Sequence, residues 1–365
     1  MTDIESIKEI EKILGFSINQ VVKLDELNKP SDTQNIYSDN PTANYCLDRN
    51  ENVIGLYIDT CPIEEFPTDL LTGFSKLNKL YLNQCHLSNS NFLKDFKELT
   101  DLNLANNQLT DLGSLIGLTN LTSLIANNNQ LNDVTDLKRL TSLTILDLSF
   151  NQLTDISSLS ELKKLTSLGL HNNQLIDVQP LKGTTNLTYL NLSNNQLTDI
   201  EPLKNLKNLT FLDLNYNQLI DISFLEELKE LTNVDISFNQ IVEIKSFIGL
   251  TKLTTLSLNN NQIVDPSPLS KLTSLITLGL HNNQIIDLSF IKDLTNVTEI
   301  GLVYNQIKEL PEWITEIHLE INIQDDPDVS TNRLLLAGNP IQSPPIKVVK
   351  KGKQAIQQHF QELKK

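Results

Sequence analysis

"LTDLNLANNQL" (Leu99–Leu109), "LTILDLSFNQL" (Leu143–Leu153) and "LTYLNLSNNQL" (Leu187–Leu197) obey one pattern, L-x-x-L-x-L-x-x-N-x-L. Numbering each unit from its first leucine, the asparagine at position 9 recurs every 22 residues: Asn107, Asn129, Asn151, Asn173, Asn195, Asn217, Asn239, Asn261, Asn283 and Asn305. Ten in-phase copies make the repeat the organising fact of the chain. In "LxLxx" the leucines alternate, so they point inward while their neighbours face solvent, as on a short strand. One unit cannot cover its own leucines; stacked units bury them as a continuous core. The asparagine turns inward where the chain leaves the strand and pairs with backbone groups otherwise buried unpaired.

The pattern resembles the signature of leucine-rich repeats, in particular the 22-residue repeats of bacterial proteins such as the internalins. The resemblance implies an α/β solenoid: a curved horseshoe with a parallel β-sheet on its concave face, short helical or 3-10 turns on the convex face, and helical caps. Upstream, "LNKLYLNQCHL" (Leu77–Leu87) and "VIGLYIDTCPI" (Val53–Ile63) put Cys85 and Cys61 at the asparagine position. Downstream, "TNRLLLAGNPI" supplies a last unit with Asn339 after a spacer containing "EIHLEINIQDDPDV". Thirteen strand units result, spanning about 60 Å at ~4.8 Å per strand. Residues 1–50 read as a helical cap and hairpin, with Ile4, Ile7, Ile10, Ile13 and Leu14 on one helix face. Residues 51–342 are the repeat array. Residues 343–365 form a closing helix, with Val348, Ile356, Phe360 and Leu363 as its apolar contacts.

The 365 residues carry a net charge of -16, which opposes nucleic-acid binding, since phosphates require Lys and Arg on one face. It favours a basic partner. No stretch approaches the ~20 apolar residues of a membrane span, and the acidic start "MTDIESIKEIEKILGF" is unlike a signal peptide. Cys46, Cys61 and Cys85 are odd in number and form no C-x-x-C pair. These features point to buried structural thiols and a cytoplasmic location.

Because the period is constant, residues 22 apart stack into columns. Position 13 is acidic throughout, from Asp111 to Glu309. A calcium ladder needs Gly-Asp loops absent here, so these acids read as caps on the next turn's N–H groups. Positions 3, 5, 7 and 8 form the concave face. There the middle repeats gather Phe150, Tyr189, Phe211, Tyr216 and Phe238, with Asp147, Asp213 and Asp235 between them. In a chain with 5% aromatics this grouping marks a patch for a protein or peptide. At position 8, packing along the rim accounts for Phe150, Tyr216, Phe238 and Tyr304 as well as binding does. His171 joins the patch from position 7, and "LGLHNNQ" repeats at Leu278–Gln284, where His281 is its counterpart. The two histidines are 110 residues apart, too far to share a metal. No phosphate loop, H-E-x-x-H or G-x-S-x-G is present, so neither catalysis nor a cofactor is expected.

The tail, Leu310–Leu363, is similar to the segment that closes the repeat domain of bacterial Roco proteins. Gly338, Asn339, Pro340, Pro344, Pro345, Gly352, Ala355 and Ile356 match it. In that family the segment leads into a Ras-like GTPase module, and the resemblance implies a regulatory recognition domain. The chain stops at Lys365 without a phosphate loop, so no GTPase activity transfers. The expected function is a non-catalytic scaffold that binds a protein or peptide, with a Roco-type regulatory arm and an internalin-like adhesin as alternatives.

Overall fold

The computed structural model describes residues 2–21, 42–61, 66–323 and 332–364. Ile63 of the first repeat and the whole "QDDPDV" stretch of the spacer lie outside the described residues. The chain divides into two compact units. One comprises Met1–Leu175 with Gln179–Leu187, the other Ile176–Val178 with Thr188–Lys365.

The first unit opens with helix α1 (Asp3–Leu14). The side chain of Thr2 accepts the Glu5 N–H at 3.2 Å, and the Glu5 carboxylate accepts the Thr2 N–H at 2.7 Å. This reciprocal cap supplies two of the helix's orphan donors with partners. Ile7, Ile10 and Leu14 are buried, whereas Ile13 is 41% exposed. Six residues past Ile7 is about 240° further round a helix, off the apolar face. The carboxylate of Asp3 accepts the Val53 N–H at 2.7 Å and ties the helix to the sheet.

That sheet contains β1 (Asn19–Val21), β2 (Thr42–Leu47), β3 (Val53–Asp59), β4 (Lys79–Asn83), β5 (Asp101–Asn103), β6 (Ser123–Ile125), β7 (Ile145–Asp147) and β8 (Ser167–Gly169). β2 and β3 are an antiparallel hairpin, and every later pair is parallel. In the second unit β9 (Tyr189–Asn191), β10 (Phe211–Asp213), β11 (Asn233–Asp235), β12 (Thr255–Ser257), β13 (Thr277–Gly279) and β14 (Glu299–Gly301) follow one another. β15 (Glu320–Asn322) forms within the spacer, and β16 (Arg333–Leu335) inserts between it and β14. Helices α2 (Ile346–Val349) and α3 (Lys353–Leu363) end the chain. Val349 and Ile356 are their buried contacts; Val348 is half-buried and Leu363 exposed.

From β5 to β14 each strand occupies positions 3–5, and a short 3-10 helix such as Gly113–Gly117 or Ser289–Asp293 crosses back to the next. The pattern leucines between are almost wholly excluded from solvent. Around them run three polar ladders. The first is the asparagine column. Asn151 accepts the Leu131 N–H at 2.9 Å and donates to the carbonyls of Ala126, Leu148 and Ser149 at 3.0–3.1 Å. The same set recurs at Asn129, Asn217, Asn239, Asn261 and Asn305. The second ladder is absent from the sequence reading: threonines at position 2 donate their hydroxyls backward. Thr144 Oγ1 donates to the Thr122 carbonyl at 3.0 Å and Thr232 Oγ1 to that of Thr210 at 3.0 Å. The third is the acidic column. Asp133 accepts the Thr135 N–H and Asp155 the Ser157 N–H, each at 2.7 Å, and Asp287 accepts the Ser289 N–H at 2.9 Å. The Thr135 hydroxyl and N–H hold Asp133 below the usual carboxylate range.

One expectation is overturned. Cys61 and Cys85 are not separate thiols but a disulfide, with Cα atoms 4.7 Å apart; Cys46 remains a buried thiol. Both bonded cysteines occupy the inward position 9, one repeat apart. Stacking brings them together although their spacing follows no cysteine motif.

Replacing Asn151 by alanine leaves the Leu131 N–H without its partner in the core and takes one of two donors from each of the Ala126, Leu148 and Ser149 carbonyls. The expected loss is about 2–3 kcal/mol, read from urea unfolding. Thiol titration of the unreduced, denatured chain is expected to count one cysteine, rising to three after reduction.

Candidate functional site

The strand face turned to solvent carries positions 3 and 5, two residues apart on the same side. Position 5 has a structural duty. Its side-chain oxygen accepts the N–H of position 7 and turns the chain out of the strand. Asp147 does this for Ser149 at 2.9 Å, Asp213 for Asn215 at 3.0 Å and Asp235 for Ser237 at 2.8 Å. Neutral asparagines do the same work: Asn103 accepts the Ala105 N–H and Asn191 the Ser193 N–H, both at 2.9 Å. The turn therefore needs no charge there, and Ile125, Gly169, Gly279 and Gly301 stand at the same position with no side-chain oxygen at all. Gly169, beside Asp147, leaves room for this arrangement; a Cβ at 169 would come within 2.6 Å of Asp147 Oδ1.

Asp213 and Asp235 are in register across β10 and β11. Burial pushes the Asp213 carboxyl up to about 6. The Asn215 N–H and the Ser193 hydroxyl oppose that rise, and the charge of Asp235 adds to it. Two stacked aromatic pairs stand on the same strands. Tyr189 and Phe211, in register at position 3 of β9 and β10, lie 4.5 Å apart and 11° from parallel. Tyr216 and Phe238, just past β10 and β11, lie 4.0 Å apart and 10° from parallel. Tyr189, Tyr216 and Phe238 are exposed, and Phe211 is half-buried. The second unit thus presents an acid pair between two aromatic pairs.

Position 8 adopts left-handed backbone in every repeat, with φ of 50–57° from Asn106 to Tyr304. Asparagine, which tolerates that region, fills it at six repeats. Phe150, Tyr216, Phe238 and Tyr304 adopt it against the preference of bulky side chains, at a cost of about 1–2 kcal/mol each. Tyr304 has a packing role: its ring covers Gly338, itself at φ +70, where a Cβ would collide with the ring. In the first unit Phe150 meets His171 edge-on, with ring centres 5.0 Å apart.

Position 7 corrects the expected placement of His171. Ser149, Ser193 and Ser237 there are buried, and His171 is half-buried instead of facing solvent. The reason is the turn after position 6, which folds position 7 back over the strand end. Burial lowers the His171 pKa from its ordinary 6.5, against the pull of Asp147. Its Nδ1 is buried without a hydrogen-bond partner. His281 serves structure, its Nδ1 accepting the Val303 N–H at 3.2 Å.

A family model described as "Leucine Rich repeats (2 copies)" matches residues 97–139, 141–183, 185–227 and 229–271. These are leucine-rich repeats. Among solved structures, an internalin from Listeria monocytogenes is 27% identical over 80% of this chain and 83% of its own, with a TM-score of 0.72. A leucine-rich repeat protein of Leptospira interrogans is 24% identical over 78% of this chain and 84% of its own, with a TM-score of 0.61. A plant peptide hormone receptor, RGFR1 in complex with RGF2, is 24% identical over 76% of this chain and 46% of its own, with a TM-score of 0.64. No curated protein matches the chain in sequence.

Leucine-rich repeat domains are typically interaction scaffolds without catalysis. No helix among the described residues is long and apolar enough to cross a membrane. The candidate residues fall into two groups. Asp147, Phe150 and His171 belong to the first unit, and Tyr189, Phe211, Asp213, Tyr216, Asp235 and Phe238 to the second. Sequence reasoning missed the stacking, which depends on ring angles, and the capping duty of position 5. The recurrence of Asn and Asp at that position was the available signal for the latter.

An acid whose pKa is raised by folding costs stability above its unfolded value, and that cost grows as pH rises through the folded value. Asp213→Asn keeps an oxygen for the turn and removes the charge. Allowing for solvent reaching the carboxylate, it is expected to stabilise the chain by up to about 2 kcal/mol at pH 7.5. The gain should shrink by about half at pH 5, where Asp213 is mostly protonated, as urea unfolding at the two pH values would show.

Proposed function

We propose that the chain is a non-catalytic scaffold that binds a protein or peptide on the exposed face of its parallel sheet, at the aromatic and acidic patch of β9–β11. The observation that carries this reading is the paired aromatics. In a chain with 5% aromatics, four stand stacked toward solvent on adjacent strands, two of them in backbone that asparagine fills elsewhere. Packing of the core does not call for them, and aromatic anchors with charged neighbours are what protein interfaces use. The acid pair and the net charge of -16 favour a basic partner. The fold supports the reading as well, since a plant receptor with the same architecture is seen in complex with RGF2.

The location is read anew. The Cys61–Cys85 disulfide supports an oxidising compartment over the cytoplasm expected from the sequence. It favours a surface or secreted role of the internalin kind over a Roco-type regulatory arm. For the latter there is the tail motif, which folds as α2 and α3 and ties Lys364 to Glu312 at 2.6 Å. An open reading frame running past Lys365 into a phosphate loop would decide for the regulatory arm.

The double substitution Tyr189→Ala with Phe211→Ala is expected to abolish partner capture while leaving the far-ultraviolet circular dichroism spectrum unchanged. Capture that survives in this variant would place the binding surface elsewhere.

A further inference from the structure

Asp213 and Asp235 leave a chemical imbalance on the sheet face. Their structural task, capping position 7, is done at Asn103 and Asn191 by neutral side chains. Two carboxylates in register on neighbouring strands repel one another and lose hydration, costs that the fold does not require. No ion pair within the described residues involves either of them. Beside Asp235 sits a second unmet group. Ser237 is 4% exposed, and its hydroxyl has no hydrogen-bond partner, as is also the case for Ser149 beside Asp147. The equivalent hydroxyl of Ser193 is satisfied by its own position-5 side chain, Asn191, at 2.7 Å.

The aromatic pairs restrict what can answer this imbalance. Tyr189 and Phe211 stack nearly parallel across β9 and β10, so the second face of Phe211 looks toward Asn233, at the same position of β11. Tyr216 and Phe238 stack in the same manner beyond the acids. A flat cation is favoured between such faces. Guanidinium is planar, weakly hydrated, stacks on aromatic rings and donates two parallel N–H bonds to carboxylates. Ammonium is a compact, strongly hydrated charge and gains less from the rings. A metal ion fits poorly: no group of three or more ligating side chains occurs among the described residues.

We propose that β9–β11 form a receptor for one arginine side chain of the partner, its guanidinium shared by Asp213 and Asp235 and stacked against the flanking aromatic rings. The assignment rests on the scaffold reading above and names the chemistry its surface selects. It also carries a pH dependence. The position-5 neighbours of Asp213 are Asn191 on β9 and Asp235 on β11, and the position-7 neighbours are Ser193, Asn215 and Ser237. Asp235 is therefore the charged group that faces it. Arginine keeps its charge at all relevant pH, so binding follows ionisation of Asp213, which lies at about 6. Affinity is full at pH 8 and about tenfold weaker at pH 5, where about a tenth of Asp213 is ionised.

The test pans a phage-displayed library of random dodecapeptides against the full chain at pH 8. The enriched peptides are then measured against four proteins: wild type, Tyr189→Ala with Phe211→Ala, Asp213→Asn with Asp235→Asn, and Ser237→Ala. The expected binders depend on the aromatic pair and carry an arginine at a fixed position. Changing that arginine to lysine should weaken binding about tenfold, and changing it to citrulline about a hundredfold. The double asparagine variant should erase the difference between arginine and citrulline. Binders that need Tyr189 and Phe211 but show no arginine preference, or bind the double asparagine variant undiminished, overturn the arginine assignment and leave the scaffold reading standing. A selection in which no peptide depends on Tyr189 and Phe211 overturns both.

Discussion

The buried amide of the position-9 asparagine is the interaction on which the rest depends. Every repeat must leave its strand, turn, and cross back, and the turn strands backbone N–H and C=O groups inside an apolar core. Water cannot reach them, and the backbone of the neighbouring repeat pairs with only some of them. An amide side chain, donor and acceptor in one group, bridges the turn of its own repeat to that of the preceding one. Unpaired, those groups would offset a sizeable part of what the leucines of each repeat contribute. With the asparagine fixed, the leucines at positions 1, 4, 6 and 11 have only one inward side to occupy.

At one end the ladder changes chemistry. Cys61 and Cys85 take the asparagine position in two consecutive units and are joined covalently, while Asn107 in the next unit still accepts the Cys85 N–H at 3.0 Å. A cross-link there restricts the unfolded chain at the start of the array.

The face of the sheet shows how a structural requirement leaves chemical freedom. Position 5 can cap the turn with a neutral oxygen or do without one, position 8 must accept left-handed backbone, and position 7 must fit the turn that follows the strand. Asparagine and serine meet all three demands, and many repeats use them. Where Asp213, Asp235, Tyr216 and Phe238 stand instead, the fold bears a cost in charge burial and backbone preference that it did not need. Asp147 and Phe150 carry the same excess in the first unit, but only on β9–β11 does it come with two stacked aromatic pairs. His171 illustrates the converse: its place at position 7 makes it a half-buried packing residue as much as a surface one.

The 22-residue spacing by itself determined the parallel strands, the inward leucines, the asparagine ladder and the acidic caps. Each of these follows from side-chain direction over a few residues and repeats without change. It also marked the columns in which Tyr189, Phe211, Asp213 and Asp235 lie, because a constant period makes residues 22 apart into neighbours. Only the tertiary structure decided the disulfide, the threonine ladder, the insertion of β16 between β14 and β15, and the stacking of the aromatic pairs. These depend on distances of a few ångströms and on ring and rotamer angles across adjacent repeats. A periodic sequence says which residues meet, but the packing of the turns decides which atoms do.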